Sequence, residues 1–138
     1  MTSLDLGAGP APFFWMPGAD ICEHNLNNEF KYPKRNIFSD LKEVIKEKRV
    51  YDVIFMSHSL RYNDDMKMLV QQIKEVTKTG SCIEIIDYLE RWNHGKGDLF
   101  TCTEKEYYKQ YIKPFTSDFT ELWYVNDTKK YHTRLIRK

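Results

Sequence analysis

Ser3-Leu4-Asp5-Leu6-Gly7-Ala8-Gly9-Pro10 is the stretch on which the reading of this chain turns. Leu4 and Leu6 flank an acidic residue in a run of strand length, and the run breaks abruptly into two glycines. Such a turn lets the backbone come close to a bound group, because no side chain stands in the way. Asp5, two residues before Gly7, sits where its carboxylate braces the turn or reaches the polar end of a ligand. Gly-x-Gly alone is common in loops, so the weight falls on the order of elements that follows.

Pro10, Pro12 and Pro17 surround Phe13, Phe14 and Trp15, and prolines at that density disfavour a regular helix. Ala19 to Asn25 reads as a second short strand ending in polar groups. Residues 26–35 read as loop and Asn36-Ile37-Phe38 as a third, short strand. Asp40 with Glu43 makes a capping-box-like start for a helix carrying Leu41, Val44 and Ile45, and Lys46, Lys48 and Arg49 suit its C-terminal end. Tyr51 to Ser57 is a near-continuous apolar run, as expected of a strand covered on both faces. Asn63, Asp64 and Asp65 open a second helix whose Met66, Leu69, Val70, Ile73 and Val76 form one stripe, ending at Gly80. Ser81 to Asp87 follows as another strand. Strand, helix and strand in alternation imply parallel pairing and an α/β sheet.

The last third differs. Thr103 and Glu106 form a second capping box, for a helix with Tyr107, Tyr108, Tyr111 and Ile112 that stops at Pro114. Phe119–Val125 and Tyr131–Ile136 are β-prone runs around the turn sequence Asn126-Asp127-Thr128-Lys129, an antiparallel hairpin. No repeat or linker interrupts residues 1–138, which read as a single domain.

Composition narrows the class. With 138 residues and 14% aromatics the chain can bury a sizeable core. Twenty-one Lys and Arg against 20 Asp and Glu leave no clear nucleic-acid footprint, although Lys129, Lys130, Arg134, Arg137 and Lys138 cluster near the C-terminus. No apolar run approaches the ~20 residues of a membrane span. Cys22, Cys82 and Cys102 are odd in number and widely spaced, without a CxxC pair. The expectation is a reduced, cytoplasmic protein with no membrane contact and no metal site.

The chain resembles the class I S-adenosylmethionine-dependent methyltransferases. The resemblance is carried by Leu4-Asp5-Leu6-Gly7-Ala8-Gly9, by Asp40 before Leu41, by Tyr51 to Leu60 and by Thr79-Gly80-Ser81, in that order over almost the whole chain. It implies a Rossmann-like, mostly parallel seven-stranded sheet with helices on both faces, one antiparallel strand near an edge and a C-terminal antiparallel hairpin. It also implies S-adenosylmethionine as cofactor. Ala11 stands where the family usually has a third glycine, and the prolines and the start of the first strand at Ser3 suggest a minimal form with a shortened first helix and no N-terminal lid. A dinucleotide fingerprint fails, because its last glycine is here Pro12; a P-loop is absent.

Candidate site residues follow from the resemblance. Gly7 and Gly9 would let the backbone approach the cofactor's methionine end, with Asp5 near its amino group. Glu23 would take both ribose hydroxyls, with Asp20 as rival according to where the second strand ends. Asp40 matches the acidic residue near the adenine and is equally a helix N-cap. Ser57 and His58 follow the fourth strand at the carboxyl edge of the sheet, where open α/β folds bind ligands. His58 suits a general base at neutral pH, or it packs and orients substrate. Arg61 and Tyr62 are candidates for an anionic or sugar-like group, and Asp87 and Tyr88 for the substrate side.

The strand-four ending Ser57-His58-Ser59-Leu60 differs from the motif of amino-methylating DNA enzymes, and no cysteine follows a proline as in cytosine-C5 enzymes. A small-molecule or sugar-type acceptor is therefore expected. Two alternatives stay open: a non-catalytic binding module, and another S-adenosylmethionine-consuming reaction on the same scaffold. An open site with Phe13, Phe14 and Trp15 at its rim also leads to the expectation of a homodimer.

Overall fold

The structure, a computed structural model, describes residues 2–8, 18–26, 36–89, 92–93, 99–100, 102–126 and 129–138. Gly9, Ala11, the three prolines near it, and Phe13, Phe14 and Trp15 lie outside the described residues, as do the turn residues Asp127 and Thr128.

The elements in chain order are β1 (Ser3–Leu6), β2 (Asp20–Cys22), β3 (Ile37–Phe38), α1 (Leu41–Lys46), β4 (Tyr51–Ser57), α2 (Met66–Glu75), β5 (Thr77–Tyr88), β6 (Trp92–Asn93), β7 (Leu99–Phe100), α3 (Glu104–Tyr107), β8 (Phe119–Asn126) and β9 (Lys130–Arg137). Seven strands form one sheet in the order β3-β2-β1-β4-β5-β9-β8, and β6 pairs with β7 apart from it. Strands β1 to β5 pair in parallel, whereas β9 runs antiparallel to both neighbours, β5 and β8. This is the expected mostly parallel sheet with its C-terminal hairpin.

Alternation along the strands sorts side chains between the two faces. Leu4, Leu6, Ile54, Met56, Ile83, Ile85 and Leu135 point to one face and are buried there beneath Leu41 and Val44 of α1, Leu69, Val70 and Ile73 of α2, and Tyr107, Tyr111, Ile112 and Phe115 of the α3 segment. All three described helices contribute to this one cluster. The other face carries Ser3, Val53, Phe55, Cys82, Glu84, Arg134 and Ile136, half-buried around a depression of about 500 Å³. At its centre Glu84 accepts from Arg134 at 3.3 Å and lies 3.0 Å from His132 Nε2. Arg134 also lies over the Trp123 ring, so this part of the basic C-terminal cluster has structural partners.

Capping fixes the helices. Asp40 accepts from the Glu43 N–H at 3.1 Å, and the Glu43 carboxylate accepts from the Ser39 N–H at 2.8 Å, a reciprocal arrangement displaced by one residue. Asp65 caps α2 by accepting from the Met68 N–H at 3.0 Å. The α2 helix ends at Glu75, five residues short of the expected Gly80. Thr77 already belongs to β5, pairs with Tyr51, and donates its hydroxyl to the Ile73 carbonyl at 2.7 Å. Arg137 donates to the Lys74 carbonyl at 3.0 Å, so the C-terminal strand closes that helix end. Gly80, at φ +90°, lies instead in a bulge between the Tyr51–Thr77 and Val53–Cys82 pairs.

Pro114 does not stop the third helix. Helical turns continue through a π turn at Tyr108–Ile112 and a 3-10 turn at Lys113–Phe115. Pro114 sits in the first turn of the latter, where no intrahelical N–H is needed. No described helix is long and apolar enough to cross a membrane.

The α1 helix ends with the Lys48 N–H on the Ile45 carbonyl and the Arg49 N–H on the Val44 carbonyl, while Lys48 adopts φ +55°. This is a Schellman ending with lysine where glycine is favoured. Lys48 is exposed, so Lys48→Gly should relieve backbone strain without loss of packing. Thermal unfolding is expected to show a gain of about 0.5–1 kcal/mol.

Candidate functional site

The chain steps from β1 through β2 to β3 in one direction and from β4 to β5 in the other, so the order reverses beside β1. Open α/β sheets form a crevice outside the carboxyl ends of their strands at such a point. Here it is a cleft of about 740 Å³. Leu6 ends β1 on its wall, with Gly7 and Ala8 after it; Glu23, His24 and Asn25 follow β2; Asp40 opens α1; Ser57 ends β4, with His58 and Ser59 after it.

Gly7 sits at φ +72° and donates its N–H to the Cys22 carbonyl at 2.9 Å. A Cβ placed on it would lie 2.5 Å from Ser59 Cβ and 2.8 Å from Ser59 Oγ. The Ser59 hydroxyl in turn donates to the Leu6 carbonyl at 3.0 Å. Two strand-end turns therefore interlock, and glycine is demanded both by φ and by space.

Glu23 stands just past β2, its N–H on the Phe38 carbonyl, with a side chain that is 8% exposed. Its Oε1 accepts from the Asn25 N–H at 3.1 Å and lies 3.4 Å from His24 Nδ1. Asp20 lies at the other end of the same strand and is absent from the cleft wall. Its Oδ2 accepts from the Tyr51 hydroxyl at 2.7 Å, and its Oδ1 from the Asn36 backbone and side chain at 3.1 Å. That leaves Glu23, not Asp20, facing the cleft. Asp5 is half-buried on the face of β1 opposite Leu4 and Leu6 and does not line the cleft.

His58 also has positive φ, at +58°, and its N–H is held by the Ile86 carbonyl at 2.7 Å. Its ring stacks on Tyr88 with centroids 4.4 Å apart. Behind it lies Asp87, fully buried at the end of β5. Asp87 Oδ1 is 3.8 Å from His58 Nδ1 and 3.7 Å from Arg61 Nε, and it accepts from the Tyr88 N–H at 3.0 Å. Its Oδ2 accepts from the Tyr107 hydroxyl at 3.0 Å. Arg61 turns inward, its side chain 2% exposed, so it is engaged with Asp87 rather than presented to a substrate. Tyr62, 56% exposed, and Asn63 stand on the cleft wall.

Sequence reasoning thus brings Gly7, Glu23, Asp40, Ser57 and His58 together on one cleft. It missed Asn25, Asn63 and Gln72 on the wall and gave Ser59 no role. Asn25 lies in the turn after β2, and Asn63 closes the 3-10 turn Leu60–Tyr62 that follows β4; that placement is the signal available for them.

No protein-family profile matches the sequence, and no curated protein matches it. Solved structures do match. A protein described as a type 11 methyltransferase from Sulfolobus solfataricus superposes with a TM-score of 0.70 at 21% identity, covering 99% of this chain and 83% of its own. The N-methyltransferase NodS from Bradyrhizobium japonicum, in complex with S-adenosyl-L-homocysteine, gives 0.67 at 13% identity over 99% of this chain and 77% of its own. A protein described as an S-adenosylmethionine-dependent methyltransferase, from Listeria monocytogenes, gives 0.68 at 10% identity, covering 99% of this chain and 91% of its own. The fold is that of the class I S-adenosylmethionine-dependent methyltransferases, and at these identities the likeness is one of fold.

Gly7→Ala should cost about 2–4 kcal/mol in chemical denaturation, from the left-handed backbone plus the clash with Ser59. Adding Ser59→Gly is expected to return the clash part and leave the backbone part, so the two changes will be non-additive. Burial foremost, then Asp40 and Glu23, pushes the Cys22 thiol up to about 12. It lies on the cleft wall but stays protonated, so an alkylating agent at pH ~8 should label it only after denaturation.

Proposed function

We infer that the chain binds S-adenosylmethionine in this cleft and transfers its methyl group to a small-molecule or sugar-type acceptor. The observation that supports this best is the Glu23 carboxylate, oriented by the Asn25 N–H at the carboxyl end of β2. A carboxylate in that position can accept both hydroxyls of a ribose. The donor set around it fits such a group. Leu6, Leu41, Met56 and Leu69 offer apolar wall for a purine ring, Asp40 and Asn63 offer polar partners at its edge, and the Gly7 turn presents backbone instead of side chain.

When bound, the cofactor supplies an electrophilic methyl group carried on a positively charged sulfur. The rest is the work of the chain. Its main task is alignment, since holding the acceptor atom in line with the methyl carbon removes much of the entropic barrier. Ser57 helps to hold the cofactor, and His58 takes the proton that an O–H or N–H acceptor must lose. Tyr62, an exposed ring on the cleft wall, suits an uncharged flat or sugar-like acceptor. Arg61 is committed to Asp87, so it offers no cation to an anionic acceptor.

Thermal shift and calorimetry with S-adenosylmethionine and S-adenosyl-L-homocysteine test the reading. Either ligand at 100 times its dissociation constant should add about 2.7 kcal/mol of stability, and NAD none. Glu23→Gln should weaken binding by about 1.5–3 kcal/mol, the worth of a hydrogen bond to a charged group, with little change in the unliganded melting temperature. No response to either compound at millimolar concentration would overturn the proposal.

A further inference from the structure

The cleft explains the exposed edge of His58 and leaves the buried carboxylate behind it without a task. Asp87 is wholly removed from solvent, an expensive place for a charge unless it is paired and hydrogen-bonded. Its surroundings answer that cost in full. Arg61 Nε and the Tyr88 N–H lie on Oδ1, and the Tyr107 hydroxyl donates to Oδ2. These groups come from three separate parts of the chain: the turn after β4, the end of β5 and the start of the α3 segment. The Arg61 guanidinium donates further to the Tyr88 carbonyl at 3.3 Å, and the Arg61 carbonyl accepts from the Tyr111 hydroxyl at 3.4 Å. Such a cluster has one orientation.

The oxygen it aims at His58 is Oδ1, 3.8 Å from Nδ1. That is longer than a hydrogen bond, and contacts of catalytic groups often tighten only in the complex. The ring is steadied from the other side by its stack on Tyr88 and by the backbone bond to Ile86. Which imidazole nitrogen carries the proton is set by the partner of the other nitrogen. A carboxylate facing Nδ1 demands a proton there.

We propose that Asp87, held by Arg61 and Tyr107, is a positioning residue that fixes His58 in its Nδ1–H tautomer and leaves Nε2 as the base toward the acceptor. The Arg61 guanidinium shares that oxygen, so Asp87 faces the ring as one member of a charge pair. The other titratable groups near Asp87 do not disturb this balance. Burial holds the Tyr107 hydroxyl well above its ordinary range and pushes the Cys102 thiol up to about 11, and burial likewise raises Tyr111, so all three stay neutral.

The role of base rests on the methyl-transfer reading; the tautomer does not, and it can be read with no ligand present. Long-range ¹H–¹⁵N correlation spectra of ¹⁵N-labelled protein at mildly alkaline pH separate the two neutral forms, with His58 assigned through His58→Gln. The wild-type ring should show the Nδ1–H pattern, against the Nε2–H form that predominates in free histidine. Asp87→Leu combined with Arg61→Met removes both charges while keeping volume, a replacement buried ion pairs commonly tolerate. In that variant the two ring nitrogens should exchange chemical-shift ranges. A wild-type Nε2–H pattern, or a folded double variant that keeps Nδ1–H, overturns the proposal. If the double variant does not fold, the wild-type spectrum alone decides. Cofactor binding measured separately distinguishes failure here from failure of the methyl-transfer reading.

Discussion

The meeting of the Gly7 and Ser59 turns is the constraint on which the rest of the site depends. Strands β1 and β4 are neighbours at the point where the sheet reverses its order, and their carboxyl ends must separate enough to admit a ligand yet stay registered. The Ser59 hydroxyl on the Leu6 carbonyl supplies the registration. The missing Cβ of Gly7 supplies the room, since any side chain there would occupy the position of Ser59. Ser57 and His58 lie immediately before Ser59, so the geometry of the β4 end is inherited from this contact. The left-handed backbone of His58 is the second half of the same turn.

Three carboxylates near the ends of the strands illustrate how environment separates structural from functional acids. Asp20 is spent on Tyr51 and Asn36, tying the amino end of β2 to β4. Asp87 is buried among Arg61, Tyr107 and Tyr88 and faces the cleft only through His58. Glu23 alone of the three lines the cleft itself. Residue type does not distinguish them, and strand polarity does: Asp20 and Glu23 are three residues apart on one short strand, at opposite ends of it. The tyrosines take part in the same division. Tyr51 and Tyr107 each give a hydroxyl to a carboxylate, and for both, burial is the first cause that holds the phenol above its ordinary range.

Much of this was legible in the sequence where a local rule operates alone. The glycine turn after Leu6, the Asp40 and Thr103 caps, the apolar run of β4 and the hairpin at the end all obey short-range chemistry, and each forms where its pattern lies. Errors arose where a distant partner intervened. Gly80 looks like a helix terminator, yet α2 is cut short by Thr77, which pairs with Tyr51, and by Arg137 from the far end of the chain. Arg61 reads as a candidate for an anionic or sugar-like group, and only the fold brings Asp87 up to absorb it. Glu23 and Asp20 were separable once the parallel register of β1 with β2 fixed where β2 ends. No periodicity carries that information.

The position of β9 bears on how the protein is made. This strand follows the other described strands in sequence, yet it sits inside the sheet, joining β5 to β8. As a polypeptide emerges from the ribosome, everything up to β8 is available while residues 130–137 are still to come. During that interval the long strand β5 shows a row of unpaired backbone groups, and β8 has no strand to pair with. Leu122, Trp123, Tyr124 and Val125 of β8, exposed even in the finished fold, are then exposed along a loose segment. Unpaired edges and free apolar side chains are what chaperones bind and what nascent chains aggregate through. Completion of the sheet thus waits for residues 130–137, and proteolytic loss of β9 would remove two strand pairings at once.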